Sequence, residues 1–212
     1  MILKRERLPR LCTDRLKVRL LEPHEANLMV RFREENRDHL EPWEPLRQPK
    51  FFTEGFWEVH LRLTLRDFRN GASAGFVLLS PNEDEVLGVC NYTNIVRGTF
   101  QSCQLGYALA EKHQHKGLMF EALLLTNKYM FDELGLHRIM AAYLPLNKRS
   151  GKLLGRLGFE KEGLARKYLK INGRWEDHLL TSLINDSYEY LRTNSRLNKY
   201  IPLPMFRHLS PP

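Results

Sequence analysis

The chain has 212 residues, 42% hydrophobic and 27% charged, which suits one ordinary globular domain and excludes wholesale disorder. No apolar run approaches the roughly 20 residues of a membrane span, MILKRERLPR lacks the apolar core of a secretory signal, and three unrelated cysteines, Cys12, Cys90 and Cys103, predict a reducing, cytoplasmic setting. The 33 Lys and Arg against 25 Asp and Glu leave a net charge of +8.

Leu16–Leu20 alternates with period two and predicts a strand. Pro23 opens a helical stretch to about Asn36, with Ala26, Met29, Val30 and Phe32 at helical spacings. The segment Leu40-Glu41-Pro42-Trp43-Glu44-Pro45 carries two prolines and cannot be regular helix. A second helix is predicted from about Thr53 to Asp67, ended by Asn70-Gly71. Strands follow at Ala74–Leu79 and Val86–Tyr92, across a turn at residues 81–84, and at Phe100–Ala110. Gly117–Leu134 is the clearest helix, Arg138–Leu144 a strand, and Asn147–Leu157 a short helix stopped by Gly158. Glu160–Ile171 and Arg174–Leu183 form a hairpin about Asn172-Gly173. This order predicts a single α+β domain over residues 13–184. Residues 1–12 read as a basic N-terminal segment and 185–212 as a basic, polar tail with one short helix near Asp186–Thr193.

More than half of the excess charge lies in these ends. Residues 1–10 hold Lys4, Arg5, Arg7 and Arg10 against Glu6, a net of +3, and residues 185–212 hold Arg192, Arg196, Lys199 and Arg207 against Asp186 and Glu189, a net of +2. The remainder carries +3, which does not read as a basic recognition face of the DNA-binding kind. The ends fit either an acidic partner or plain solubility charge.

The chemistry concentrates between Leu105 and Gly158. In LGYALAEKHQHKGLMFEAL a strand ends near Ala110, a polar loop follows and Gly117 begins a helix. Such a loop turns unpaired N–H groups outward ahead of a helix dipole, which is how a phosphate cradle is built. Downstream, Asn147-Lys148-Arg149-Ser150 opens the short helix and Leu157-Gly158-Phe159 closes it.

Gln114-x-x-Gly117-x-Met119 resembles the Gln/Arg-x-x-Gly-x-Gly/Ala signature of the GNAT superfamily of N-acetyltransferases, with Met119 where the family has a small residue. Asn147-x-x-Ser150 and the Leu-Gly-Phe turn are similar to the family's second motif. LNKRSGKLLGRLGFEKEG, INGRWEDHLLTSL and LEPWEP resemble one subfamily, the ribosomal-protein-alanine N-acetyltransferases of the RimJ type, over about Thr13 to Leu183.

The resemblance implies the GNAT fold, a mixed and mostly antiparallel central sheet flanked by helices. It implies acetyl-CoA as co-substrate and the N-terminal α-amine of a ribosomal protein, of the small subunit, as acceptor. The pyrophosphate is then expected on the amides of His115, Lys116, Gly117, Leu118, Met119 and Phe120, with Gln114 in the motif and charge from Lys116. The pantetheine arm is expected beside the backbone of Tyr107, Ala108 and Leu109 and on Asn147. Many relatives take their proton donor from a tyrosine seven residues after the asparagine; that position here is Leu154, so Ser150 is expected to face the sulfur.

For the base, Glu121 is a candidate because it lies one turn into the helix after the loop, though a solvated glutamate is an equal reading. Asp177 and His178 alternate on the last strand, so only one faces a given side. Asp177, like Glu121, is expected to contact the acceptor, and His178 is of a type that suits a base or a structural role. Trp43 would wall a peptide pocket or pack on the core. His113 and His115 lack metal-ligand spacing, and no metal is expected. The basic ends would aid docking to a ribosome or its RNA, and no membrane contact is expected. Two other functions remain open: acetylation of a small molecule (a polyamine, aminoglycoside or amino acid) and a non-catalytic ribosome-associated assembly factor.

Overall fold

The computed structural model describes residues 8–185. Thirteen regular elements run in chain order: β1 (Arg10–Cys12), β2 (Lys17–Arg19), α1 (Ala26–Glu35), α2 (Arg37–Leu40), α3 (Glu54–Arg69), β3 (Ala74–Leu79), β4 (Val86–Val96), β5 (Ser102–Leu109), α4 (Leu118–Asp132), β6 (Arg138–Tyr143), α5 (Lys148–Arg156), β7 (Glu160–Ile171) and β8 (Arg174–Ile184). The strands form one sheet in the order β1-β2-β3-β4-β5-β6-β8-β7. Every neighbouring pair is antiparallel except β5 and β6. This is the mixed, mostly antiparallel α+β sheet that the sequence predicts.

Both faces of the sheet are covered around β3 and β4, whereas β7 is exposed along nearly all its length. The period of two along β3 divides the core. Phe76 and Leu78 join Cys90, Tyr92, Leu118, Leu123, Ile139 and Leu154 beneath α4 and α5. Val77 and Leu79 join Val89, Met29, Phe32, Trp57 and Leu61 beneath α1 and the first half of α3. Deep in the first core, Tyr92 donates its hydroxyl proton to one of two acceptors at 2.7 Å, Thr126 Oγ1 or Asn127 Oδ1, so a buried phenol is satisfied.

Several local outcomes differ from the sequence reading. The sheet begins at β1, inside the segment expected to lie outside the domain; three residues are too few to show a period. Proline starts the first helix with one tight turn, Pro23–Glu25, and Asn36 then divides it into α1 and α2. The buried Asn36 donates Nδ2–H to Phe32 O and accepts the Glu111 amide on Oδ1, both at 2.8 Å. It thereby fixes the loop that leaves β5. Strand β4 runs on to Val96 across a register shift, with Asn94 at φ 51°. The Asn172-Gly173 turn has both central φ values positive, 39° and 81°, the geometry that suits a right-twisted hairpin. The helix expected near Asp186–Thr193 lies outside the described residues.

Candidate active site

The site starts from an opening in the sheet. The parallel ladder between β5 and β6 runs from the pair Ser102–Arg138 to the pair Leu105–Ala141. Beyond it β5 continues to Leu109, while Ala142 and Tyr143 of β6 pair only with Leu180 and Leu179 of β8. The Ala110 amide donates to Leu87 O on the β4 side at 2.8 Å, and Gln101 O accepts from His137 and Arg138 on the β6 side. Strand alternation then turns the backbone groups of Tyr107 and Leu109 toward the gap and those of Ala108 toward β4. Of the three backbone positions the sequence nominates, two face the opening and Ala108 does not.

At the open end of β5 the chain makes a tight turn, Glu111–His113, and enters α4. His115 and Gly117 both take left-handed backbone conformations, φ 62° and 76°. The first intrahelical bond of α4 runs from the Glu121 amide to Gly117 O at 3.1 Å, so the amides of Leu118, Met119 and Phe120 precede the ladder. Met119, the departure from the small-residue motif, sends its side chain into the core, where Sδ lies 3.6 Å from Cys90 Sγ. Only its backbone belongs to the loop, so its bulk does not crowd the cradle.

Two sets of contacts hold this loop. Gln114 places Nε2 2.8 Å from His39 Nε2 and accepts on Oε1 from the Arg149 guanidinium, which ties α2, the loop and α5 together. On the other side Arg15 donates Nη1–H to Lys116 O at 3.0 Å and Nε–H to Glu121 Oε2 at 3.0 Å, and the Thr13 hydroxyl donates to Glu121 Oε1. Burial alone would push the Glu121 carboxyl up, but the Thr13 and Arg15 hydrogen bonds and the Arg15 charge hold it below the usual carboxylate range. A carboxylate so occupied is a poor proton acceptor. Its visible work is to clamp Arg15 behind the loop, which does not suit the base role expected of it.

Helix α5 brings the second motif to the same place. Asn147 caps the helix, accepting the Ser150 amide on Oδ1 at 3.0 Å. Ser150 Oγ lies 2.7 Å from the hydroxyl of Tyr107, which reaches across the gap from β5. Leu154 is buried in the core, so the family's usual donor position points away from the site. Gly151 is required by close approach: a Cβ there would lie 2.8 Å from Tyr143 Cε2 and from its Oη.

The proline-punctuated segment meets the turn of the β7–β8 hairpin. Glu44 O accepts the Asn172 amide from the hairpin turn at 2.9 Å. Trp43, on the turn Glu41–Trp43, is 39% exposed beside that contact. One carboxylate oxygen of Asp177, Oδ1, accepts the Lys167 amide at 2.8 Å and steadies an irregularity in β7. His178 is buried, with Nδ1–H donating to Glu176 O at 3.0 Å. Among the described residues no group of three His, Cys, Asp or Glu side chains is placed to hold a metal ion, and no helix is long and apolar enough to cross a membrane.

Residues 15–160 match the acetyltransferase (GNAT) domain family. The chain belongs to the GNAT acetyltransferases. Within that family it is 48% identical to the ribosomal protein uS5-alanine N-acetyltransferase of Escherichia coli, over 82% of this chain and 90% of that one. Among solved structures it is similar to the ribosomal-protein-S5-alanine acetyltransferase of Vibrio fischeri, with 42% identity, a TM-score of 0.82, and coverage of 85% of this chain and 98% of that chain. Mycobacterium smegmatis RimJ in complex with CoA-disulfide is similar at 26% identity and a TM-score of 0.77, covering 89% of this chain and 94% of that one.

Against this GNAT frame, motif spacing points to Gln114, Gly117, Asn147 and Ser150, and the fold gathers them. Spacing carries no signal for His39, 75 positions from Gln114, or for the Tyr107 hydroxyl, 43 positions from Ser150. Only the fold joins them.

Proposed function

We propose that this GNAT chain transfers acetyl from acetyl-CoA to the α-amine of an N-terminal alanine of a ribosomal protein, a small-subunit one, in the cytoplasm. The observation that carries the reading is the parting of β5 from β6 with the α4 loop and Ser150 at its rim. An extended thioester arm needs a slot with free backbone groups along one wall, and Tyr107 and Leu109 supply them. A pyrophosphate needs amides converging on one point and nearby positive charge; the loop at His115–Phe120, Lys116 and the end of α4 meet that need. The residues therefore fit the co-substrate.

The chemistry follows from these parts. A protein α-amine titrates at about 7.7–8, so an appreciable fraction is free base near neutrality and no strong base is needed. An amide of Tyr107 or Leu109 stabilises the oxyanion as it forms. Ser150 donates a hydrogen bond to the leaving sulfur, and Asn147 holds the start of α5 so that Ser150 is in place. Trp43 walls the acceptor side. Glu121 and Asp177 serve this reading as clamps on the loop and on the hairpin.

The basic ends are proposed to help docking on a ribosomal particle; most of both ends lies outside the described residues. The hairpin adds to them. Arg166, Lys167, Lys170 and Arg174 are exposed and have no ion-pair partner among the described residues, and exposed Tyr168 and Trp175 lie among them.

The test is an acetylation assay read by intact mass. Peptides copying alanine-first ribosomal protein N-termini should gain one acetyl group at the α-amine. Acetylation of polyamines or amino acids with none on peptides would favour the small-molecule alternative. No transfer to any amine, with acetyl-CoA still bound, would favour the non-catalytic one.

A further inference from the structure

We infer that Tyr107 is a positioning residue that acts through Ser150, donating its hydroxyl proton to Ser150 Oγ so that the serine's single proton points at the departing sulfur. This rests on the proposed role of Ser150 as donor to sulfur and extends it to a second side chain.

A serine hydroxyl has one proton and two acceptor lone pairs, and its rotor settles wherever its neighbours leave it. The Ser150 amide is already committed to Asn147 Oδ1 at 3.0 Å. Ser150 Oγ has one hydrogen-bond partner among the described residues, the Tyr107 hydroxyl at 2.7 Å. Two arrangements satisfy that contact. If serine donates to the phenol, its proton is spent and sulfur receives nothing. If the phenol donates to serine, the serine proton is free for the site.

Tyr107 has two acceptors in reach on Ser150, Oγ at 2.7 Å and the carbonyl oxygen at 3.4 Å. Either hydroxyl can donate across the shorter contact, but 3.4 Å is long for an O–H donor, which favours Oγ as the acceptor of the phenol's proton. Burial pushes the phenol well above its ordinary value, against the opposing effect of the Ser150 hydrogen bond. It therefore remains a donor throughout the working pH range and does not itself ionise.

The consequence appears late in the reaction. When the carbon–sulfur bond of the tetrahedral intermediate breaks, its electron pair goes to sulfur. The Ser150 hydrogen bond stabilises that charge, and the proton lost by the attacking amine returns to the thiolate through solvent. Tyr107 is a fixed partner that keeps the donor aimed, so it acts on turnover and not on coenzyme affinity.

The experiment compares Tyr107→Phe, Ser150→Ala and the double variant in the full chain, with steady-state kinetics on an acceptor peptide and calorimetric binding of acetyl-CoA. Tyr107→Phe should lower kcat on the order of five-fold, as loss of one useful hydrogen bond does. Its Kd for acetyl-CoA and its Tm should stay near the parent's. The double variant should be no slower than Ser150→Ala, because the phenol has nothing to aim once the serine hydroxyl is gone. An unchanged kcat for Tyr107→Phe beside a lowered one for Ser150→Ala would overturn the inference and leave Ser150 in place. Losses that multiply in the double variant would overturn it too. An unchanged kcat for Ser150→Ala would remove the underlying donor reading itself.

Discussion

Arg33 of α1 holds Nη1 2.8 Å from Glu44 Oε1 while the rings of Phe32, Phe51 and Trp57 surround its guanidinium at 5.1–5.6 Å. The arginine is only 6% exposed. Glu44 is also held by Arg47 at 3.0 Å, and its carbonyl takes the hairpin amide of Asn172. The pair thus ties the proline-punctuated loop to the helical layer and, through one backbone bond, to the far edge of the sheet.

Removing the carboxylate alone would leave a buried guanidinium without its counter-charge. Glu44→Ala should destabilise the chain by about 3 kcal/mol. At this chain length that corresponds to a Tm lower by roughly 6–12 °C, read by calorimetry. KM for the acceptor peptide should rise more than KM for acetyl-CoA, because Trp43 adjoins the loosened residue. Parent-like stability would show that the aromatic cage alone sustains Arg33.

Gly117 and Gly151 are needed for different reasons, and their alanine variants should differ accordingly. No neighbour blocks a Cβ at Gly117; the obstacle is φ 76°, which disfavours alanine by about 1–2 kcal/mol. Gly117→Ala should weaken acetyl-CoA binding while kcat at saturation is largely kept. Gly151→Ala would drive a methyl into Tyr143 and displace the helix that carries Asn147 and Ser150. There kcat should fall more than affinity, and steady-state kinetics separate the two patterns.

The Glu121 clamp predicts a pH signature. Its folded-state value lies below the ordinary 4.5, so on acidification the unfolded chain takes up this proton first. The stabilisation is complete above that ordinary value and is lost as pH falls through the lower, folded one. Glu121→Gln should be less stable than the parent near neutrality, and its stability should decline less steeply below about pH 4.5, in urea titrations at a series of pH values. Parallel pH profiles for the two proteins would mean that the Arg15 contact contributes nothing to folding.

If the hairpin cations assist docking, reversing them should matter only on a large anionic acceptor. The combination Lys167→Glu, Lys170→Glu and Arg174→Glu should leave acetylation of a free peptide near parent rates. It should slow acetylation of the same N-terminus on a ribosomal particle and flatten the dependence on salt. Equal slowing on peptide and particle would place the effect in the cleft instead.

The parts of this enzyme that were legible beforehand are those written locally. The spacing of Leu118, Ala122, Leu125 and Tyr129 announces α4, and Asn172-Gly173 announces the last hairpin. The motif residues from Gln114 to Ser150 announce the loop and α5. What was not legible depends on partners far away in the chain. Glu121 looks like a free acid next to the site until Thr13 and Arg15, more than a hundred positions earlier, take both its oxygens. Asp177 looks like a candidate acceptor contact until the bulged β7 offers it the Lys167 amide. Met119 looks like a defect in the motif, but side-chain and backbone of one residue can serve different layers, and a linear pattern does not separate them.

The parting of β5 and β6 has a mechanical consequence as well. From β1 to β5 and from β6 to β7 the sheet is continuous, and the ladder between Ser102–Arg138 and Leu105–Ala141 is the seam that joins these two wings. A long molecule lying in the slot would touch both wings and act as a stitch above the seam. Coenzyme should therefore raise the Tm and slow amide exchange on β5 and β6 together, so that the substrate completes the sheet it is held by.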